Sequence, residues 1–170
     1  MDGQGNKLWQ VLDGDGQFGS AESWMALRPS VLGDIRVGGE RNLGGNGVWL
    51  VVQRVALADG KTLWETRRRS QSVLFVRDIL PTPDGGAVLT GGTYWDYANN
   101  AAWLQRFDGK GARLWTKGFY AGDTVLHALE PAAGGMMTAI GGGRLGGGTT
   151  GHDTIAIRFD PGTGKTYCEP

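Results

Sequence analysis

Asp108-Gly-Lys-Gly-Ala-Arg-Leu-Trp115 sets a polar glycine turn directly ahead of an apolar-aromatic step, and the chain uses that device four times. The other copies are Asp2-Gly-Gln-Gly-Asn-Lys-Leu-Trp9, Asp59-Gly-Lys-Thr-Leu-Trp64 and Asp160-Pro-Gly-Thr-Gly-Lys-Thr-Tyr-Cys168. Their last positions, 9, 64, 115 and 168, are 55, 51 and 53 residues apart. An arginine ahead of the turn is more regular still: Arg54, Arg106 and Arg158 are 52 apart both times. Glycine pairs at Gly38-Gly39, Gly91-Gly92 and Gly141-Gly142 give a third anchor. Three anchors at one period define an internal repeat of about 50 residues.

Alternation and turn chemistry place the strands. In the second repeat they are 73–80, 87–93, 102–107 and 113–118, with Pro81-Thr-Pro-Asp-Gly-Gly86 turning the first into the second. The first repeat gives 23–27, 34–39, 48–55 and 62–67, and the third gives 124–129, 136–141, 154–159 and a stub at 165–168. A leading strand at 7–12 matches the fourth strand of a repeat. Four antiparallel strands per repeat of this length is the pattern of a β-propeller blade. The expected fold is therefore all-β, a single repeat domain over 1–170, with blades at about 21–69, 73–120 and 124–170. One four-stranded sheet cannot cover both its faces, so stacking of neighbours should bury Leu8/Trp9, Leu63/Trp64 and Leu114/Trp115.

The turn Asp160-Pro-Gly-Thr163-Gly164-Lys-Thr-Tyr-Cys168 resembles the tryptophan-docking repeat of quinoprotein-like propellers, with Cys168 in the place of the docking tryptophan. The other three copies keep the tryptophan, lack Thr-Gly, and are similar to the Asp-Gly-x-Gly-x-x-Leu-Trp repeats of bacterial surface and secreted propellers. The resemblance implies architecture and a mostly extracytoplasmic setting. It also implies a role as scaffold, adhesin, lectin or, less often, enzyme. Three blades do not close a ring, which takes about four to eight. Two copies could join three plus three into a six-bladed ring with twofold symmetry. A fragment of a longer propeller and an open sandwich are the other two readings.

Composition agrees. The chain has 31 Gly and 6 Pro in 170 residues, which excludes a helical bundle, while 40% hydrophobic residues and 7 Trp exclude disorder. Lys+Arg and Asp+Glu are 17 each, so no net field recruits nucleic acid or a membrane surface. The longest apolar run, Val48-Trp-Leu-Val-Val52, is far short of a bilayer span, and Met1–Gly5 lacks a signal peptide's regions. A single cysteine, Cys168, leaves the compartment unconstrained.

Chemistry-bearing residues are sparse. Gly60-Lys-Thr62 and Gly164-Lys-Thr166 look like the end of a phosphate loop, but Val55 and Phe159 stand where its first glycine belongs. Asp13, Asp15 and Glu22 offer carboxylates for calcium, although the EF-hand register fails and Asp-Gly steps also serve as plain turns. His127 and His152 do not make a zinc site or a triad, and Cys168 reads as a degenerate core contact or a free terminal thiol. Arg67-Arg-Arg69 reads as a solvated edge or a weak anion contact.

The distinctive segment joins the second and third strands of the second repeat: Tyr94-Trp95-Asp96-Tyr97-Ala98-Asn99-Asn100, where the matching loops are mostly glycine. Stacking faces beside an acid and two amides suit a saccharide or peptide, and capping of the blade edge is the plainer alternative. Tyr94, Trp95, Asp96, Tyr97 and Asn99, with Arg41 and Arg144 at repeat-equivalent positions, form the candidate ligand site. The expected function is a non-catalytic recognition or assembly module for glycan or protein, using no cofactor and joining a second copy. The competing readings are a fragment of a propeller enzyme, oxidoreductase or glycosidase, and a purely structural segment.

Overall fold

A computed structural model of the chain describes residues 21–42, 48–70, 73–94, 101–119, 123–143 and 153–167. They form twelve strands in three antiparallel four-stranded meanders, with no α-helix among the described residues. The first sheet is β1 (Ala21–Pro29), β2 (Asp34–Asn42), β3 (Val48–Ala56) and β4 (Thr62–Ser70). The second is β5 (Val73–Pro81), β6 (Ala87–Tyr94), β7 (Ala101–Phe107) and β8 (Arg113–Phe119). The third is β9 (Thr124–Pro131), β10 (Met137–Gly143), β11 (Asp153–Phe159) and a two-residue β12 (Thr166–Tyr167). The chain passes from the outer strand of one sheet to the first strand of the next at β4–β5 and at β8–β9.

The sheets bury their apolar faces against one another. Leu50 and Val52 of β3, with the half-buried Trp64, pack on Val76, Ile79, Leu89, Trp103 and Phe107 of the second sheet. On its opposite face the second sheet sets Val88, Ala102 and Leu104 against Leu126, Leu129, Met137, Ala139 and Phe159 of the third. The middle sheet is thus covered on both sides, and all seven residues of β7 are buried. That explains why Ala-Ala-Trp-Leu-Gln-Arg-Phe shows no polar-out alternation.

Each first strand carries a β-bulge. The register skips Met25 in β1 and Arg77 in β5, and the shift at Ile140/Gly141 skips His127 in β9. The residue just before each bulge (Trp24, Val76 or Leu126) pairs with Gly39, Gly91 or Gly141. A Cβ at Gly91 would fall on the carbonyl oxygen of Phe75, and one at Gly141 on that of Val125. The periodic glycine is therefore dictated by crowding beside the bulge. In the first repeat the matching residue is Gly39, one position later than the glycine-pair alignment predicts.

The outer strands correct a second expectation. Register shifts at Arg54/Val55 and Arg106/Phe107 bulge Leu63 and Leu114 out of their sheets, and both are exposed rather than buried. Trp64 then stands opposite Arg54, and Trp115 opposite Arg106. The third sheet has no such bulge and pairs Arg158 directly with Tyr167. Tyr167, and not Cys168 as expected, therefore takes the position that Trp64 and Trp115 hold in the other two sheets. Arg67, Arg68 and Arg69 also fall inside β4 instead of beyond its end.

Candidate functional site

Connections β2–β3, β4–β5, β6–β7, β8–β9 and β10–β11 share one end of the meanders, and most of their residues lie outside the described ones. Of the sequence-predicted ligand residues, Trp95, Asp96, Tyr97, Asn99 and Arg144 fall there. Tyr94 is the last residue of β6, paired through its backbone with Val73. Arg41 is buried in β2, opposite Trp49, where its charge helps to hold Glu65 below its ordinary value against burial. Asp13, Asp15, His152 and Cys168 also lie outside the described residues. Glu22 sits in β1 opposite Arg41, and His127 is exposed on its bulge.

At the opposite end, the repeated arginine has a structural task. Arg54 donates to Asp34 at 2.7 Å through Nε, and Arg106 to Asp84 at 2.7 Å through Nη2. Arg54 thus ties β3 to the first residue of β2, and Arg106 ties β7 to the turn between β5 and β6. In the third sheet the turn has no acid, and Arg158 donates to the carbonyl of Ala133 at 3.3 Å. Burial pushes the Asp34 carboxyl up, but Ser30, Arg36 and Arg54 outweigh it and hold it below its ordinary value of 3.8. Asp84 is likewise held low, because Thr82, Arg106 and the Gly86 N–H outweigh its burial.

Two buried ionic links between sheets were not foreseen. Arg36, fully buried, pairs with Asp34 and crosses to the second sheet, donating to the carbonyls of Gly86 at 3.0 Å and Gly85 at 2.7 Å. Asp78 joins the first strands of all three sheets. It accepts from Arg28 of β1 at 3.2 and 3.0 Å, from the Leu129 N–H of β9 at 2.8 Å and from the Ile79 N–H at 2.8 Å. A lone acid in Val73-Leu-Phe-Val-Arg-Asp-Ile-Leu80 is the sequence signal that could have found it.

The aromatic residues form a directional relay. Gly111, at φ 83°, lies under Trp64: a Cβ there would sit 2.9 Å from Cε3 of the ring. Thr66 Oγ1 donates to the Gly111 carbonyl at 2.5 Å. Gly164, at φ 69°, lies under Trp115 in the same way, with Cδ2 at 3.0 Å from a built Cβ. Trp115 Nε1 donates to the Pro161 carbonyl at 3.1 Å, and its ring meets Phe159 edge-on at 6.1 Å. Each outer-strand aromatic thus seats on the glycine turn of the following sheet, where only glycine leaves room and tolerates the backbone.

Tyr167 is the third member of this series, and it is 41% exposed. Around it lies a cavity of about 750 Å³ lined by Phe119, Thr138, Ala156, Arg158 and Thr166 among others. Ala156 is exposed and Ile140 is 40% exposed, whereas Leu104 and Thr90, at the corresponding positions of the middle sheet, are buried. The chemistry offered is apolar and aromatic, with one guanidinium. No protein-family model matches the chain, and no curated protein is similar enough to it to count as a relative.

Proposed function

We propose that the chain is a non-catalytic assembly and recognition module of propeller-type blades, whose third sheet receives a further blade. Tyr167 carries the reading: the relay Trp64 to Gly111 and Trp115 to Gly164 ends on an aromatic residue with no following turn among the described residues. A positive-φ glycine turn of the same kind is the receptor such a residue fits. A second copy supplies that blade, and three plus three blades give a six-bladed ring. Glycan or protein recognition by the loop end, through Tyr94, Trp95, Asp96, Tyr97 and Asn99, is the second part of the proposal and rests on the sequence. Light scattering of the full chain at micromolar concentration tests the assembly. The expected result is a dimer that Tyr167→Ala weakens. A clean monomer, or a dimer indifferent to Tyr167→Ala and to Ala156→Arg, overturns it.

A further inference from the structure

The outer strands of the first two sheets meet with like charges at their seam. Arg68 of β4 pairs with Leu50, and Arg113 of β8 pairs with Phe107; both partners belong to the core between these sheets. Alternation along each strand therefore puts both guanidinium groups on that seam. Arg68 stands two residues beyond Thr66, which bonds the Gly111 carbonyl, and Arg113 stands two residues beyond Gly111. Arg68 is half-buried and Arg113 exposed. Burial, with the charge of Arg113 added, lowers the Arg68 guanidinium from its ordinary value. Among the described residues no carboxylate pairs with either. Glu65 bonds Gln53 and Arg67, Glu40 accepts from the Val76 N–H, and Asp108 accepts from the N–H groups of its own turn. The repeat does not require this pair of cations. At the second seam the corresponding positions, read from Ala102 and Phe159, are Phe119 and Thr166, and Phe119 packs on the apolar core.

We propose that Arg68 and Arg113 form an anion site at this seam, and that its ligand is a phosphate group, free or as a monoester. Each guanidinium presents a planar fork of N–H donors that matches phosphate oxygens. The three terminal oxygens of the group can serve both forks. Its charge of about −2 at pH 7 balances the two cations, where a single carboxylate would leave one uncompensated. Unneutralised like charges destabilise a contact, so the seated anion also removes a repulsion between the two sheets. Lys110, exposed in the turn ahead of Arg113, adds positive charge nearby. The site lies on the outer strands, apart from the third sheet and from the loop end, and stands whether or not a ring forms.

The test titrates the full chain with inorganic phosphate and with glucose 6-phosphate at low ionic strength, against chloride at matched ionic strength. Calorimetry and the arginine side-chain resonances should show saturation below about 10 mM, and the melting temperature should rise. Response to inorganic phosphate alone assigns the free ion, and response to both assigns a monoester. Glucose 6-sulfate, of similar shape with one charge fewer, should bind at least about tenfold more weakly. Arg113→Gln should weaken phosphate binding by about tenfold. The double variant Arg68→Phe, Arg113→Thr copies the second seam, so in phosphate-free buffer it should melt no lower than the parent, and added phosphate should leave it unchanged. Arg113→Gln keeps the test decisive if the double variant does not fold. No saturation beyond the chloride control, equal binding of glucose 6-sulfate, or a full phosphate response in either variant would each overturn the proposal.

Discussion

Replacing Asp78 by asparagine should cost the protein a large part of its stability, because one buried carboxylate serves three sheets. Asp78 is 7% exposed, and its two oxygens accept two bonds from Arg28, one from Leu129 N–H and one from Ile79 N–H. Asparagine keeps the volume but turns one oxygen into an NH2 group, which then faces donors. Removing one partner of a buried ion pair costs roughly 3–5 kcal/mol. Arg28 is 39% exposed and can turn to water, which brings the figure to about 3 kcal/mol. Domains of this size have roughly 5–15 kcal/mol in all. With a urea dependence of about 2 kcal/mol/M, the midpoint should fall by about 1.5 M. The Leu129 amide should at the same time lose much of its protection from hydrogen exchange. Arg28→Met leaves Asp78 both backbone donors and should cost only about 1 kcal/mol. A midpoint shift under about 0.5 M for Asp78→Asn, or equal costs for the two variants, would show that Asp78 does not link the sheets.

Gly111→Ala meets both the positive φ and the Trp64 ring, so it should lose more than about 2 kcal/mol in thermal melts. Gly134→Ala, at φ 73° with open space around it, should lose only about 1 kcal/mol. Leu63→Ser and Leu114→Ser should stay within about 0.5 kcal/mol of the parent by urea titration, since both side chains are already in water. Acid should unfold the chain through Asp34 and Asp84, whose folded values lie below 3.8. Their contribution is complete above the ordinary value and is lost as pH falls through the folded ones, so Asp34→Asn should flatten the acid limb of a pH titration of stability. Glu40, which burial holds above its ordinary 4.5, acts in the opposite sense: its contribution is present below that value and fades as pH rises. Native-state hydrogen exchange should show β9–β11 opening at lower free energy than β6 and β7, because the middle sheet has two covered faces.

Much of the fold was legible because its signals are local. Asp-Gly turns fix hairpins through the acid's own backbone contacts, as in Asp108, whose carboxylate accepts from the N–H groups of Lys110 and Ala112 at 2.8 Å each. Period-2 alternation then places the strands, and every described strand overlaps its predicted span. What escaped was register at single-residue scale. Leu63 and Leu114 follow the alternation of a buried strand, yet a bulge beside Arg54 and Arg106 throws them outward. A bulge depends on the partner strand and leaves no mark in its own strand's composition. The same insertion explains the substitution of Tyr167 for Cys168. Gly60 to Trp64 and Gly111 to Trp115 are four residues with a bulge, while Gly164 to Tyr167 is three without one.

The candidate site was legible only as a place where the repeat weakens, and the third sheet weakens it in several ways at once. No acid stands in its β9–β10 connection, where Arg158 donates to the Ala133 carbonyl, whereas Arg54 and Arg106 donate to Asp34 and Asp84. Thr138, like Val88 of the second sheet, stands where Arg36 bridges the first sheet to the second, counting each from its third-strand arginine (Arg36 pairs with Arg54, Val88 with Arg106, Thr138 with Arg158). Among the described residues its outer strand is Thr166–Tyr167, and a tyrosine stands where the other sheets have Trp64 and Trp115. In a stack where a repeat is stabilised mainly by its neighbours, a sheet with one face uncovered among the described residues gains from whatever covers it. A tyrosine supports that role better than a tryptophan would, since its hydroxyl tolerates water while the face is open and its ring still stacks when it is covered. The third sheet, with one face uncovered among the described residues, is therefore one that a covering partner would stabilise.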